Sequence, residues 1–120
     1  MSTTTNLGGV SKTFSTTTTI SPYLCVGLNS SGEAVIASAS TTPIGFTTRE
    51  VVTAGDSTPI QLLNGGGTAF ATAHGAIATV GASVYTSPNG KVSPTDTSAT
   101  LVGIALQTAS TNDVIEILLA

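Results

Sequence analysis

The sequence predicts an all-β protein: a small antiparallel β-sandwich or barrel built from two repeated β modules, with an extended N-terminal arm. Three observations carry this expectation. Short apolar-polar segments alternate with Gly, Asn and Pro turn signals along the chain, the pattern of many short strands. No segment keeps apolar residues at i, i+3, i+4 and i+7 long enough for a helix. The layout of the first half recurs in the second, so one β unit is present twice.

Taken in order, Met1 to Ser11 is polar and without periodicity and reads as an arm with no packed face of its own. Lys12 to Ser21 is dominated by a threonine run, Thr16 to Thr19. β-branching favours a strand there, one that pairs late or with a neighbouring subunit. Residues 1–19 are therefore assigned to the arm and residues 20–120 to a single β domain. Ser21-Pro22 breaks the chain, since proline cannot donate to a ladder. Tyr23 to Leu28 is a buried strand, Asn29 to Gly32 a turn, and Glu33 to Ala37 the returning strand. Pro43 to Thr48 follows, with Arg49 to Val52 as an extension, then a turn at Ala54 to Thr58 and a closing strand Pro59 to Leu63. Asn64 to Gly67 is a joint; without a Gly-Lys-Ser/Thr ending it is no phosphate loop. Thr68 to Thr72 and Ile77 to Val80 read as a short hairpin or corner around His74-Gly75.

The second half opens with a strand from Ala82 to Thr86. The turn Ser87-Pro88-Asn89-Gly90 follows, where both Asn and Gly tolerate positive φ. A strand returns from Lys91, and two more cover Thr100 to Leu106 and Asp113 to Leu119. Setting Gly32 on Gly90 places Val26 on Val84 and Glu33 on Lys91. The same offset sets Ile44-Gly45-Phe46 on Val102-Gly103-Ile104. After a small deletion, Ile60 to Leu63 falls on Ile115 to Leu118. The repeat thus covers residues 23–63 and 81–119, and two such units, each unable to bury its face alone, pack back to back. Gly32 and Gly90 are the turn glycines; Gly45 and Gly103 mark a bulge or a close backbone approach.

Composition narrows the function. Charged residues make up 8% of the 120 residues, against roughly 25% in ordinary soluble domains. Lys12, Arg49 and Lys91 are the only basic residues and net charge is −3, which argues against nucleic-acid binding, where clustered cations must neutralise phosphates. No apolar run reaches the roughly 20 residues of a membrane span, and Met1 to Thr19 carries no secretory apolar core. The single Cys25 sits in an apolar run and reads as a buried small hydrophobe in a chain folded in a reducing compartment. The six acids, Glu33, Glu50, Asp56, Asp96, Asp113 and Glu116, read as turn and surface positions, with Glu116 alternating outward on its strand. His74 is the only histidine; catalysis needs a paired base and a metal needs more ligands, so no catalytic, cofactor or metal site is expected. A domain of this size buries only about 60–70% of its unfolded surface, and association with other chains is the expected remedy.

Several stretches carry a resemblance. Gly66-Gly67, Ala76-Ile77, Gly81 to Tyr85, Asn89-Gly-Lys-Val92, Leu101 to Leu106 and Val114 to Leu119 resemble the C-terminal half of tailed-bacteriophage capsid decoration (cement) proteins. Val26 to Leu63 resembles the family's weaker N-terminal copy. Ala82 departs from the acid commonly found after the glycine. The resemblance implies a non-enzymatic virion protein, commonly homotrimeric. Such a protein is made in the host cytoplasm and sits on the outer surface of the head, where it bridges major capsid protein subunits. In such a protein an arm can pair with a neighbour's sheet edge through backbone hydrogen bonds. The residues expected to make that contact are Ser2, Thr3, Thr4, Thr5, Asn6, Leu7, Val10 and Phe14. An alternative is a head-fibre or carbohydrate-binding module on the virion surface, for which only Phe14, Tyr23, Phe46, Phe70 and Tyr85 offer stacking surfaces.

Overall fold

The computed structural model describes residues 11–48, 53–63, 67–95 and 99–119. These residues form ten strands and no α-helix. The strands are β1 (Ser11–Ser15), β2 (Cys25–Leu28), β3 (Ala34–Ile36), β4 (Pro43–Thr47), β5 (Ser57–Leu62), β6 (Thr68–Thr72), β7 (Ser83–Thr86), β8 (Val92–Ser93), β9 (Leu101–Ala105) and β10 (Val114–Leu119). They make two five-stranded antiparallel sheets, ordered β1-β5-β4-β2-β3 and β6-β10-β9-β7-β8. The two orders are the same order, strand for strand. In each sheet the two ends meet through a parallel bridge, Thr16 with Ala34 and Ala73 with Val92. Each module is therefore a small curled barrel with its own inside, joined at one point of its seam and otherwise edged by β1 or β6.

The duplication reaches the register. Val26 pairs with Gly45 and Val84 with Gly103, and each pair is followed by a bulge at the next residue of β2 or β7. The turn before each closing strand repeats as well. Thr16 N–H donates to Asp56 O, and Gly55 N–H to Thr16 O. Ala73 N–H donates to Asp113 O, and Asn112 N–H to Ala73 O. The expected turn glycines Gly32 (φ 77°) and Gly90 (φ 75°) occupy equivalent turns, and Asn89 also takes positive φ (63°). The expected turn at Ser87 to Gly90 is built on a 3-10 turn, Pro88–Gly90, between β7 and β8.

Three expectations change. Residues 11–15 were assigned to the arm, but they form β1 and pair with β5 of the same chain, Phe14 opposite Thr58. β1 is the counterpart of β6, so the first module starts before Tyr23, and Thr68–Thr72 is a full edge strand in place of a corner hairpin. The threonine run hid this, because its counterpart, Ala73 to Ile77, shares none of its residues but the final isoleucine. Ile20 and Ile77 are both fully buried. Second, the closing strands match with Ile60 on Ile117, since Thr47 pairs with Ile60 and Ala105 with Ile117. The expected match of Ile60 with Ile115 is two residues out. A two-residue slip keeps every side chain on its own face, so pattern alone cannot detect it. Third, the modules do not meet back to back but through non-equivalent surfaces, as set out below. The predicted extension at Arg49 to Val52 lies outside the described residues.

Inside the first barrel, Ile20, Leu24, Val26, Ala34 and Ile60 form a core lined by Phe14 and Ile44. Inside the second, Ala69, Ala71, Ala73, Ile77, Val84, Val92, Ile115 and Ile117 do the same, and this core runs on to Cys25, Ala37 and Phe46 of the first module. Gly45 and Gly103 sit where neighbouring strands approach most closely. A Cβ on Gly45 would overlap the carbonyl oxygen of Gln61, and one on Gly103 that of Leu118. Both obstacles are backbone, which cannot rotate away. Gly45→Ala and Gly103→Ala are each expected to lower stability by about 3 kcal/mol, measured by urea unfolding. Gly75→Ala, with open space around the new methyl group, is the neutral control.

Candidate functional site

The surface that distinguishes the two modules is the outer face of their sheets. On the first sheet, Cys25, Phe46 and Gln61 form one row across β2, β4 and β5, because Cys25 pairs with Phe46 and Phe46 with Gln61. On the second, the equivalent row is Ser83, Ile104 and Leu118. Strand alternation points each row away from its own barrel. The first row is covered: Cys25 and Phe46 are completely buried and Gln61 is nearly so. The second is open, with Ile104 38% and Leu118 43% exposed.

What covers the first row is the seam at which the second barrel closes. Gln61 Nε2 donates to the Thr68 carbonyl at one end of β6. At the other end Thr72 gives both its N–H and its hydroxyl to the Tyr23 carbonyl, at 3.1 and 3.2 Å. Tyr23 meets Phe70 edge-on, with ring centroids 5.7 Å apart. The β7–β8 side of the same seam reaches the first module too. Gly90 N–H donates to Ala37 O at 2.8 Å and Thr86 Oγ1 to Ala39 O at 3.1 Å. The outward amides of β6, a pairing liability if left bare, are thus partly used up inside the chain.

The open row continues into a larger apolar area. Val114, Glu116 and Leu118 share one face of β10, while Ile115, Ile117 and Leu119 are buried on the other. Phe70 lies opposite Glu116 and Ile104 opposite Leu118. Val114 and Leu101 are also exposed. The one charge in this area, Glu116, accepts a hydrogen bond from Thr68 Oγ1 at 2.8 Å. Exposed apolar area of this kind, on a chain with so few charges, marks an interaction surface. The sequence carried a signal for it: in Val114-Ile-Glu-Ile-Leu-Leu119 the positions sharing Glu116's outward parity are Val114 and Leu118, both apolar.

The predicted contact residues divide. Phe14 is half-buried against the first core. Ser2, Thr3, Thr4, Thr5, Asn6, Leu7 and Val10 lie outside the described residues. Gly32, Gly45, Gly90 and Gly103 hold the turns and close strand approaches given above. A cleft of about 460 Å³ is lined by His74, Thr86, Ser87, Ser93 and Thr95 among others; among the described residues it brings no acid or thiol to His74. Among the described residues no three His, Cys, Asp or Glu side chains converge as a metal site. The acids of the turns serve the turns: Asn29 Nδ2 donates to Glu33 Oε1, and Asp113 Oδ2 accepts from Ser110 N–H.

Burial pushes the Cys25 thiol up from 9.0 to about 12. Its neutral form is therefore favoured in the fold, and the resulting stability is complete below pH 9 and lost as pH rises toward 12. Native protein at pH 8 is expected to resist iodoacetamide and to be labelled at one site once urea unfolds it; labelling of the folded chain would contradict the burial. Unfolding midpoints should fall between pH 9 and 12 more steeply in the parent than in Cys25→Ala.

A family model described as phage cement protein matches residues 9–120. Among solved structures, the fold is similar to the N base of the head fibre gp8.5 of bacteriophage phi29. The TM-score is 0.72 at 22% identity, over 92% of this chain and 93% of that one. No match was found among curated proteins.

Proposed function

The chain belongs to the phage cement protein family, and from that premise we propose that it decorates the outside of the phage head, where it ties neighbouring major capsid subunits together as a homotrimer. Its role in this reading is mechanical adhesion, with no catalytic step and no cofactor. The observation that carries the reading is the family match over nearly the whole described chain. The apolar outer face of the second sheet supports it, since adhesion needs low-charge area that can be desolvated cheaply. Only three basic residues and six acids occur in the chain, so long-range electrostatic steering contributes little and contact area must supply the affinity.

Capsid attachment falls in this reading to the N-terminal residues Ser2 to Val10. An extended polar segment can add backbone hydrogen bonds to a capsid sheet edge with little demand on side chains. Repetition over a lattice then turns a weak contact into a durable one through avidity. A second reading, a head-fibre base, is favoured by the likeness to the phi29 head-fibre fold; it changes what projects from the protein and leaves the attachment the same.

Deleting Met1 to Val10 is expected to cut occupancy on purified expanded heads at least tenfold, measured by co-sedimentation, while the solution mass per assembly changes only by the deleted residues. Undiminished occupancy would remove the N-terminal segment from the attachment. Failure of the intact chain to sediment with heads would sink the cement reading itself.

A further inference from the structure

The duplication assigns an occupant to the open face. Inside the chain one contact joins the modules: the outer row Cys25, Phe46 and Gln61 of the first lies under the closing seam of the second, formed by β6 and the Thr86–Gly90 stretch. Each half of that contact has a counterpart on the other module, and both counterparts are exposed. The covered row corresponds to Ser83, Ile104 and Leu118, which are exposed. The covering seam corresponds to β1 and the β2–β3 turn. There Leu28 stands where Thr86 stands in the second module, and it is exposed.

The glycines show the same asymmetry. A Cβ on Gly90 would lie 2.9 Å from the Cys25 carbonyl oxygen and 3.0 Å from Leu24 Cβ, both in the other module. A Cβ on the equivalent Gly32 would have no neighbour within 4 Å. β1 also keeps outward backbone groups. Thr13 lies opposite Pro59, which has no N–H, so this is a pair without ladder hydrogen bonds and the Thr13 N–H points away from β5. The equivalent outward amides of β6 include Thr72 N–H, the one taken by the Tyr23 carbonyl.

We infer that the outer face of the second module receives the β1 seam of another copy of this chain, repeating between chains the contact that joins the modules within one. The inference deepens the self-association part of the cement reading and rests on it. By the same mapping the Ser11 end of β1 in one copy lies against Leu118 of the next and Gly32 against Ser83, with Leu28 on the same seam, and outward β1 amides supply hydrogen bonds as β6 does. The two halves sit on different modules, so the interface is head-to-tail. It closes into a ring when the rotation between copies allows and otherwise runs on as a filament.

The test uses the full chain and its mass by light scattering across a concentration series. The parent is expected to show a multi-chain mass. Leu28→Asp and Leu118→Asp, each on an exposed side chain, are expected to show single-chain masses with the circular dichroism spectrum of the parent. An equimolar mixture of the two variants recovers a two-chain mass, because each retains the half the other has lost; a face-to-face pairing would not. If Leu118→Asp fails to fold, Ile104→Thr takes its place, with an expected weakening of association of at least tenfold. A monomeric parent, folded variants with the parent's mass, or a mixture that stays single-chain overturns the inference. Head co-sedimentation run in parallel separates the two readings: variants that keep the parent's mass while the parent decorates heads refute the interface alone, and an associating parent that ignores heads refutes the cement function alone.

Discussion

The fold depends on the burial of one outer row, Cys25, Phe46 and Gln61, beneath the edge of the second module. A five-stranded barrel of some fifty residues encloses few side chains and is marginal by itself. The first core holds Ile20, Leu24, Val26, Ala34 and Ile60 with Phe14 and Ile44 at its margin. Phe46, the largest fully buried side chain, belongs instead to the outside of this barrel and completes the core of the other. The single domain therefore exists because one module lends an outer face to its neighbour. Gln61, placed in that dry contact, donates to the Thr68 carbonyl at the β6 edge, so its amide is hydrogen-bonded where it is buried.

The two copies kept what the backbone demands and diverged where their surroundings differ. Gly45 and Gly103 persist because a methyl group at either would strike a carbonyl oxygen of the adjacent strand. The bulges, the bridges that close the sheets and the hydrogen bonds of the Asp56 and Asp113 turns persist for the same reason: they are set by main-chain geometry. Side chains on the outer rows did not persist. Cys25 corresponds to Ser83, Phe46 to Ile104 and Gln61 to Leu118. The exposed copy nonetheless stayed largely apolar, which a face meant only for water has no reason to do.

A protein with so few ionisable groups works by area and shape. The acids that are described serve turns or, as Glu116 does, accept from a neighbouring hydroxyl. The thiol is buried and held neutral. An adhesive role suits this chemistry, since desolvating Thr, Ser and aliphatic surface costs far less than desolvating unpaired charges. The family match agrees with that economy of chemistry.

Much of this was readable in the sequence. Alternation and Gly, Asn and Pro turns located the strands of the second half and the middle of the first, and the matched glycines exposed the duplication. The first strand of each module was readable as extended chain, but its partners were not. Ser11–Ser15 and Thr68–Thr72 are edge strands, and what makes them strands is pairing with β5 and β10, far along the chain. The alignment of the closing strands was legible only up to a two-residue slip, since alternation repeats every two residues. Sequence alone settled which side chains share a face, because backbone pleating imposes that locally. The tertiary structure alone decided which faces are covered: Phe46 and Ile104 occupy the same position on the same kind of strand, and only the packing of a second module over one of them makes the first core and leaves the other surface.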